Sequence, residues 1–321
     1  MSTSVLLIAF AAASSSLDTL ARLALTQRRR APKKLPAVGA GECAPAPDAL
    51  WLVGSFHKTG TVLNQAILAD LARRSAGAKM QLLGGPTRTG VAAAARAGYR
   101  VVFFQNFAID STRTWLGDAR AYRRHLGLRA RAVAWIRDPL SMVLSAYFYH
   151  RTAREQLAIG PATSAPVWSF CRASALPFCG AVRNASWGGL ASYQALLGSL
   201  SADDGALAEA VRSLPTARAL NATHAALAPA RGARLQDLDA AMASFNATFA
   251  SIFRWLGVGG PALAACLEAA ARHDLARHAS NHAFDGSQRH VRDGLRAHLL
   301  GDAWFAATYG PLRRAMGYGV T

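Results

Sequence analysis

The chain has 321 residues, of which 52% are hydrophobic, and it carries a formal net charge of +18. This length and hydrophobic content can fill the core of one large α/β domain. The positive charge favours an anionic partner, such as a phosphorylated nucleotide or an acidic polysaccharide. Nucleic acid is also an anion, but the sequence has no zinc-finger spacing, RNA-recognition aromatic pattern or Lys-rich tail. We therefore expect no nucleic-acid partner.

The first 47 residues are predicted to lie outside the folded domain. Residues 5–13 form an apolar run, much shorter than the ~20 residues of a membrane span, and serines follow it. Residues 1–25 are therefore interpreted as a signal peptide or as a short signal-anchor that attaches the protein to a membrane; an organellar transit peptide fits the same composition. Residues 26–47, rich in Pro, Ala and Gly, are predicted to form a flexible stem before a domain at 48–321.

The first predicted element of the domain is a buried strand that leads into a polar loop and then a helix. The segment runs Leu52-Val-Gly-Ser-Phe-His-Lys-Thr-Gly-Thr61, and helical spacing of apolar residues resumes at Val62. The first N–H groups of a helix lack intrahelical acceptors and lie at the positive end of its dipole, so such a junction binds phosphate. Lys58 would add a charge, Gly60 would allow close approach, and Thr59 and Thr61 would add hydroxyl donors.

The position of Lys58 distinguishes this loop from the P-loop of nucleoside triphosphatases. That motif, G-x-x-x-x-G-K-[ST], places the lysine six residues after its first glycine and directly after a second. Lys58 instead follows Gly54 by four residues and is preceded by His57. The loop resembles the 5′-phosphosulfate loop, x-K-[ST]-G-[TS], of sulfotransferases that use the nucleotide sulfate donor PAPS. A P-loop kinase or nucleotidase is the alternative enzyme.

A second strand-to-helix junction follows at residues 131–150. Residues 133–136 are predicted to form a buried strand, and Pro139 suits the first position of a helix. Arg137 and Ser145 are eight residues apart, just over two helical turns, and can therefore share a face. The pair resembles the 3′-phosphate motif of the same superfamily, in which an Arg at a strand end and a Ser eight positions later hold the nucleotide.

The resemblance, closer to the Golgi carbohydrate type than to the cytosolic type, implies a fold and a reaction. The fold would be α/β, a three-layer open parallel sheet with helices on both faces and the ligand at the carboxyl ends of the strands. PAPS would be the co-substrate, with no metal, and the acceptor a hydroxyl on an acidic or neutral glycan in the Golgi lumen. Lys58 would stabilise the leaving phosphate oxygen, and the loop N–H groups through Val62 would hold the 5′-phosphate.

The catalytic base is not given by the resemblance. Relatives place a His or a Glu at a strand corresponding to residues 101–104, and this sequence has neither there. Asp110, His150 and His57 are the titratable candidates nearest the two motifs. The missing base favours a second alternative, a catalytically inactive glycan-binding protein on the same scaffold.

Arg289 and Arg292 lie three residues apart, after a polar segment rich in Ser, Gly and His. Related enzymes close such a segment over the nucleotide's phosphates, so these arginines, Arg289 first, are candidates to clamp the 3′-phosphate opposite Arg137. A solvated basic helix face is the alternative interpretation. Tertiary structure decides between the two.

The cysteines and sequons bear on the cellular compartment. Cys171 and Cys179 are eight residues apart in a segment, 155–187, that is predicted to be irregular and to contribute to acceptor binding. Their spacing suits a local disulfide in an oxidising lumen, whereas Cys43 and Cys266 are left unassigned. No cysteine pair has metal-ligand spacing, and we predict no metal site. Three N-x-[ST] sequons also occur, at Asn184, Asn221 and Asn246.

Overall fold

The structure is a computed structural model that describes residues 42–56, 58–74, 80–83, 88–105, 122–124, 126–152, 161–184, 192–274 and 289–319. His57, Asp110 and the predicted signal segment lie outside these residues. Within the described part of the chain, no helix is both long enough and apolar enough to cross a membrane.

Five parallel strands form one open sheet. In chain order they are β1 (Ala49–Ser55), β2 (Met80–Leu83), β3 (Val101–Gln105), β4 (Arg129–Ile136) and β5 (Ala233–Asp237). Their order across the sheet is β2-β3-β1-β4-β5, and every neighbouring pair is parallel. The predicted α/β class with an open parallel sheet is confirmed.

Twelve helices surround the sheet in the described residues. They are α1 (Thr61–Arg74), α2 (Arg88–Arg96), α3 (Pro139–Thr152), α4 (Pro161–Ala173), α5 (Pro177–Asn184), α6 (Tyr193–Ser199), α7 (Ala202–Leu227), α8 (Leu238–Ala243), α9 (Phe245–Trp255), α10 (Gly260–Ala271), α11 (Arg289–Gly301) and α12 (Ala303–Ala315).

The helices begin at residues that fit a first turn. Ser201 accepts a hydrogen bond from the Asp204 N–H (3.1 Å), and Asp302 accepts one from the Phe305 N–H (2.8 Å), so each caps its helix. Helices α4 and α5 begin at Pro161 and Pro177, where a missing N–H has no consequence. The segment predicted to be irregular thus contains two helices, because its prolines start helices there.

Helices cover both faces of the sheet, which explains why all seven residues of β1 are buried. Trp51 and Val53 face a core formed with α1, α9 and α10. Leu50 and Leu52 point the other way, into a core with α2, α3, α7 and α12. Alternate residues of one strand therefore belong to two separate cores, as three layers require.

One disulfide joins two neighbouring helices, α4 and α5, and the other joins the segment before β1 to α10. Cys171 and Cys179 are paired, with their Cα atoms 4.7 Å apart, which confirms the predicted local bridge. Cys43 pairs with Cys266 on α10 across 223 residues of sequence. Cys43 and Ala44 are buried, so this disulfide holds the segment before β1 against α10.

A fully buried carboxylate joins three helices of one layer. Glu209 on α7 accepts hydrogen bonds from the imidazole of His150 on α3 (2.9 Å) and the hydroxyl of Tyr193 on α6 (3.0 Å). Arg212 (2.9 Å) and the hydroxyl of Ser213 (2.8 Å) are its other donors. Burial raises the pKa of the Glu209 carboxyl, but the hydrogen bond and charge of His150 and the charge of Arg212 outweigh burial and lower the pKa from 4.5 to about 2.

This arrangement corrects the prediction that His150 is a catalytic residue. The His150 side chain is only 3% exposed, and its Nδ1 is bound to Glu209, which lies 59 residues further along the chain. A general base must reach the proton that it accepts. A buried imidazole in the last turn of α3 does not reach a substrate hydroxyl, so His150 is a structural residue.

We expect Glu209→Ala to lower the free energy of unfolding by about 3–5 kcal/mol, because it leaves His150 and Arg212 without their buried carboxylate. The pKa of Glu209 is depressed on folding, so its stabilisation is complete above about pH 4.5 and is lost as the pH falls toward 2. Urea unfolding at pH 7 and pH 3 measures both effects, and the variant should lose less stability than the wild type between these values.

The matched control is Glu268→Ala, which removes a carboxylate that is 69% exposed and paired with Arg272 one turn away. Exposed pairs of this kind contribute little to stability. Equal stability losses in the Glu209 and Glu268 variants would contradict the role given to the buried cluster.

Candidate functional site

The turn between β1 and α1 has two residues with left-handed backbone conformation. Lys58 has φ of 60° and Gly60 has φ of 93°. A non-glycine residue adopts this conformation at a cost of about 1–2 kcal/mol, so the surrounding contacts must fix it. A Cβ added to Gly60 would lie 3.1 Å from the side chain of Leu238 and 3.2 Å from that of Asn64. Both the backbone conformation and the close packing therefore require glycine here.

Hydrogen bonds inside the turn hold this conformation. The Thr59 hydroxyl accepts from the Phe56 N–H (2.7 Å) and donates to the Phe56 carbonyl (3.0 Å), which also accepts from the Thr59 N–H (3.1 Å). Thr59 is fully buried. Its predicted role as a hydroxyl donor to a ligand is corrected, because both of its donors are used within the turn.

Thr61 and Val62 open α1 at the exposed side of the turn. The Thr61 hydroxyl lies 2.9 Å from the Phe56 carbonyl and 2.9 Å from the hydroxyl of Ser55, at the end of β1. The Val62 side chain is 52% exposed. The first N–H groups of α1 have no acceptors in their own helix, so they are the hydrogen-bond donors that this turn can offer to an anion.

Arg137 joins the second motif to this turn. It follows β4, and its Nη1 donates to the carbonyl of Lys58 at 3.2 Å. Its Nε and Nη2 donate to the carboxylate of Asp239 on α8, at 2.7 to 3.1 Å. The Arg137 side chain is 11% exposed. The predicted meeting of the two motifs at one edge of the sheet is thus observed.

Ser145 lies on the face of α3 that is turned toward the β1 turn. Tyr149 is one helical turn after Ser145, on the same face, and the Lys58 Nζ lies 2.9 Å from the centre of its ring. Ser145 is half-buried. Lys58 therefore reaches across to α3, with Arg137 at the start of the same helix.

Of the two candidate arginines on α11, the structure brings Arg292 toward the site. Burial lowers the pKa of Arg292, and the nearby charge of Arg137 lowers it further, whereas Asp239 opposes the shift. Arg289, the first residue of α11, has an exposed side chain. Of these two candidates, Arg292 is therefore the one whose positive charge supplements that of Arg137.

A C-terminal ion pair fixes the backbone next to Arg137. Asp138 accepts a hydrogen bond from the Leu140 N–H (3.0 Å), which caps α3, and it pairs with Arg313 of α12 at 2.8 and 3.1 Å. Both side chains are almost fully buried. On the neighbouring strand, Asp237 caps α8 through the Ala240 N–H and accepts a hydrogen bond from the hydroxyl of Tyr318.

Sequence reasoning missed Asp239 and Tyr149. Tyr149 could have been found from its helical spacing, four residues after Ser145. Asp239 had no such signal, because its partner Arg137 lies 102 residues earlier. Among the described residues no group of three or more His, Cys, Asp or Glu side chains could hold a metal ion. The remaining base candidates, His57 and Asp110, lie outside those residues.

The site lies at the switch point of the sheet. The connection after β1 leads toward β2 on one side, and that after β4 leads toward β5 on the other. Ligands of open α/β sheets bind in the crevice between the carboxyl ends of two such strands. The Lys58 turn and Arg137 are at this crevice.

No protein-family model and no curated protein sequence is similar enough to match this chain. Among solved structures, it is similar to that of the mouse sulfotransferase SULT7A1 complexed with PAP, with 11% sequence identity. The likeness covers 85% of this chain and 92% of that chain, with a TM-score of 0.35. A similarity at this level assigns no function, so a functional assignment must rest on the geometry of the site.

Proposed function

We propose that this chain is a PAPS-dependent sulfotransferase that moves a sulfuryl group to a hydroxyl of a carbohydrate acceptor. The observation that carries the proposal is the hydrogen bond from Arg137 to the carbonyl of Lys58. It joins the turn that resembles a 5′-phosphosulfate loop to the motif that resembles a 3′-phosphate site. One nucleotide with phosphates at both positions fits such a pair of neighbouring sites.

The donor would be held by charge and by backbone N–H groups. The N–H groups at the start of α1 bind the 5′-phosphate, favoured by the helix dipole. Arg137 and Ser145 bind the 3′-phosphate, and the charge of Arg292 supplements Arg137. Lys58 lies over Tyr149 and can turn from the ring to the bridging oxygen of the donor.

The transfer is an in-line displacement at sulfur. The acceptor oxygen forms a new bond to sulfur while the bond from sulfur to the bridging oxygen breaks, and that oxygen leaves with the 5′-phosphate. Lys58 stabilises the negative charge that develops on the leaving oxygen. The acceptor proton passes to a base, for which His57 and Asp110 are the remaining candidates.

The carbohydrate acceptor and a Golgi location complete the proposal. All four cysteines are in disulfides, which are typical of the secretory pathway. The net charge of +18 would attract an acidic glycan. A membrane attachment through the N-terminal segment is part of the same proposal, and this location predicts glycans at exposed sequons.

A specific alternative is a glycan-binding protein on the same scaffold without transfer activity. The exclusion of His150 as a base favours this alternative. Incubation with labelled PAPS and a panel of polysaccharides, glycolipids and small alcohols separates the two. Label transferred to any acceptor supports the enzyme, whereas heparin retention with no stabilisation by adenosine 3′,5′-bisphosphate supports the glycan-binding protein.

We expect adenosine 3′,5′-bisphosphate to raise the melting temperature of the wild-type protein and Arg137→Ala to weaken its binding about 10–100-fold. Charge-assisted hydrogen bonds contribute about 1.5–3 kcal/mol each, which corresponds to that range. Arg137→Lys keeps the charge but loses the planar guanidinium group, so its affinity for the bisphosphate should lie between those of the wild type and of Arg137→Ala. Titration calorimetry measures all three proteins.

ATP with Mg²⁺ is the comparison ligand for the P-loop kinase alternative. A melting temperature that rises with ATP–Mg²⁺ and not with the bisphosphate would favour the kinase and contradict the sulfotransferase proposal. Unchanged bisphosphate affinity in Arg137→Ala would contradict the 3′-phosphate role of Arg137.

We expect Lys58→Ala to lower the turnover number for sulfuryl transfer about 10²–10³-fold, because the charge on the leaving oxygen loses its stabilising cation. Lys58→Arg is the matched control, since arginine keeps the charge and meets the same left-handed backbone at φ of 60°. It should retain more activity than the Ala variant. Full activity in Lys58→Ala would refute the catalytic role.

Glycosylation tests the proposed location. The side chains of Asn184 and Asn246 are exposed in the folded protein, so a glycan on either leaves the packing unchanged. We expect deglycosylation of protein made in the secretory pathway to lower its mass, and Asn184→Gln and Asn246→Gln each to remove part of the shift. Secreted protein with no mass shift would argue against this prediction.

A further inference from the structure

The guanidinium of Arg137 is already occupied by a carboxylate of the protein itself. Its Nε and Nη2 donate to Asp239 at 2.7 to 3.1 Å, which is the side-on geometry in which arginine also binds a phosphate. Asp239 is the second residue of α8, two residues after the end of β5. Because β4 and β5 are parallel neighbours, with Ile136 opposite Asp237, this carboxylate faces Arg137 directly.

The two partners differ in how firmly they are held. Arg137 is 11% exposed and has a further hydrogen bond to the Lys58 carbonyl, so it stays in place if the pair opens. The Asp239 side chain is 41% exposed and faces solvent on one side. A partly exposed carboxylate is readily rehydrated, so Asp239 is the partner that can leave.

The charges around the pair favour a dianion over this single carboxylate. Arg292 and Arg296 of α11 add positive charge. Burial is the largest cause of the lowered pKa of Arg292, and the charges of Arg137 and Arg296 lower this pKa further. The negative charges of Asp239 and Asp293 have the opposite effect on the pKa of Arg292. Asp237 is bound to Tyr318, and Asp138 is bound to Arg313. The carboxylate of Asp239 would repel a phosphate placed beside it. A phosphate that replaces Asp239 would instead be attracted by the charges of Arg137 and Arg292.

We propose that Asp239 is an internal competitor that occupies Arg137 in the free protein and must swing into solvent before the 3′-phosphate of the nucleotide binds. This inference rests on the proposed function. Only the fraction of molecules with Asp239 released is competent to bind, so the apparent affinity is lowered by that fraction. The same carboxylate returns to Arg137 when the bisphosphate product leaves and thereby favours its release.

The test is the affinity of Asp239→Asn for adenosine 3′,5′-bisphosphate, measured by titration calorimetry beside the wild type. We expect binding at least about tenfold tighter in the variant, since the competing charge is gone. Adenosine 5′-monophosphate, which lacks the 3′-phosphate, should bind both proteins within about twofold. Asp239→Ser provides the same loss of charge at a helix first turn if the Asn variant folds poorly.

Asp293→Asn is the matched control, because Asp293 is an exposed carboxylate of α11 that contributes to the field at Arg292. If general charge were responsible, this variant would tighten bisphosphate binding as much as Asp239→Asn does, and the proposal would be overturned. Weaker binding in Asp239→Asn would also overturn it, since Asp239 would then be a residue that positions Arg137.

Inorganic pyrophosphate separates this proposal from the proposed function. If neither the wild type nor Asp239→Asn binds the bisphosphate, the sulfotransferase assignment fails. The affinity of both proteins for pyrophosphate then decides the role of Asp239. Tighter pyrophosphate binding in Asp239→Asn than in the wild type supports the internal competitor. Equal or weaker binding overturns it.

Discussion

The parallel pairing of β1 with β4 is the constraint on which the site depends. It aligns Ser55 with Trp135, so both strands end at the same edge and the turns that follow them meet there. Arg137 spans the gap and donates to the Lys58 carbonyl. Because β2 and β3 lie on one side of β1 while β4 and β5 lie on the other, the connections that follow β1 and β4 lead in opposite directions from this edge.

The turn after β1 keeps its shape through its own hydrogen bonds. The carbonyl of Phe56 accepts from the hydroxyls of Thr59 and Thr61, and these bonds offset the left-handed conformation at Lys58. The first N–H groups of α1 are consequently oriented before any ligand arrives. A rigid binding turn loses little conformational entropy on binding, and the loss falls instead on the side chains that must move, Lys58 away from Tyr149 and Asp239 away from Arg137.

The features that depend on neighbouring residues could be predicted from the sequence, whereas contacts between residues that are distant in the sequence could not. The apolar runs, Pro139 and the spacing of Arg137 and Ser145 correctly placed both junctions, because strand, turn and helix are set by neighbouring residues. Burial of His150 was not predictable, because it depends on Glu209, which reaches it only when α7 packs on α3. Two further pairs could not be predicted for the same reason, because their members are distant in the sequence: Cys43 with Cys266, across 223 residues, and Arg137 with Asp239. The position of Arg292 depends on how α11 docks.

The backbone around the Arg137 pair limits what can change there. Arg137 precedes Asp138, which caps α3 and is bound to Arg313, and Asp239 follows Asp237, which caps α8 and is bound to Tyr318. The end of the chain thus fixes the backbone next to both members of the pair. An exchange of Asp239 for a phosphate must therefore be a rotation of side chains between fixed helix starts. Such a rotation needs no domain motion, and because exposed side chains rotate within roughly picoseconds to nanoseconds, release of Arg137 need not limit the reaction.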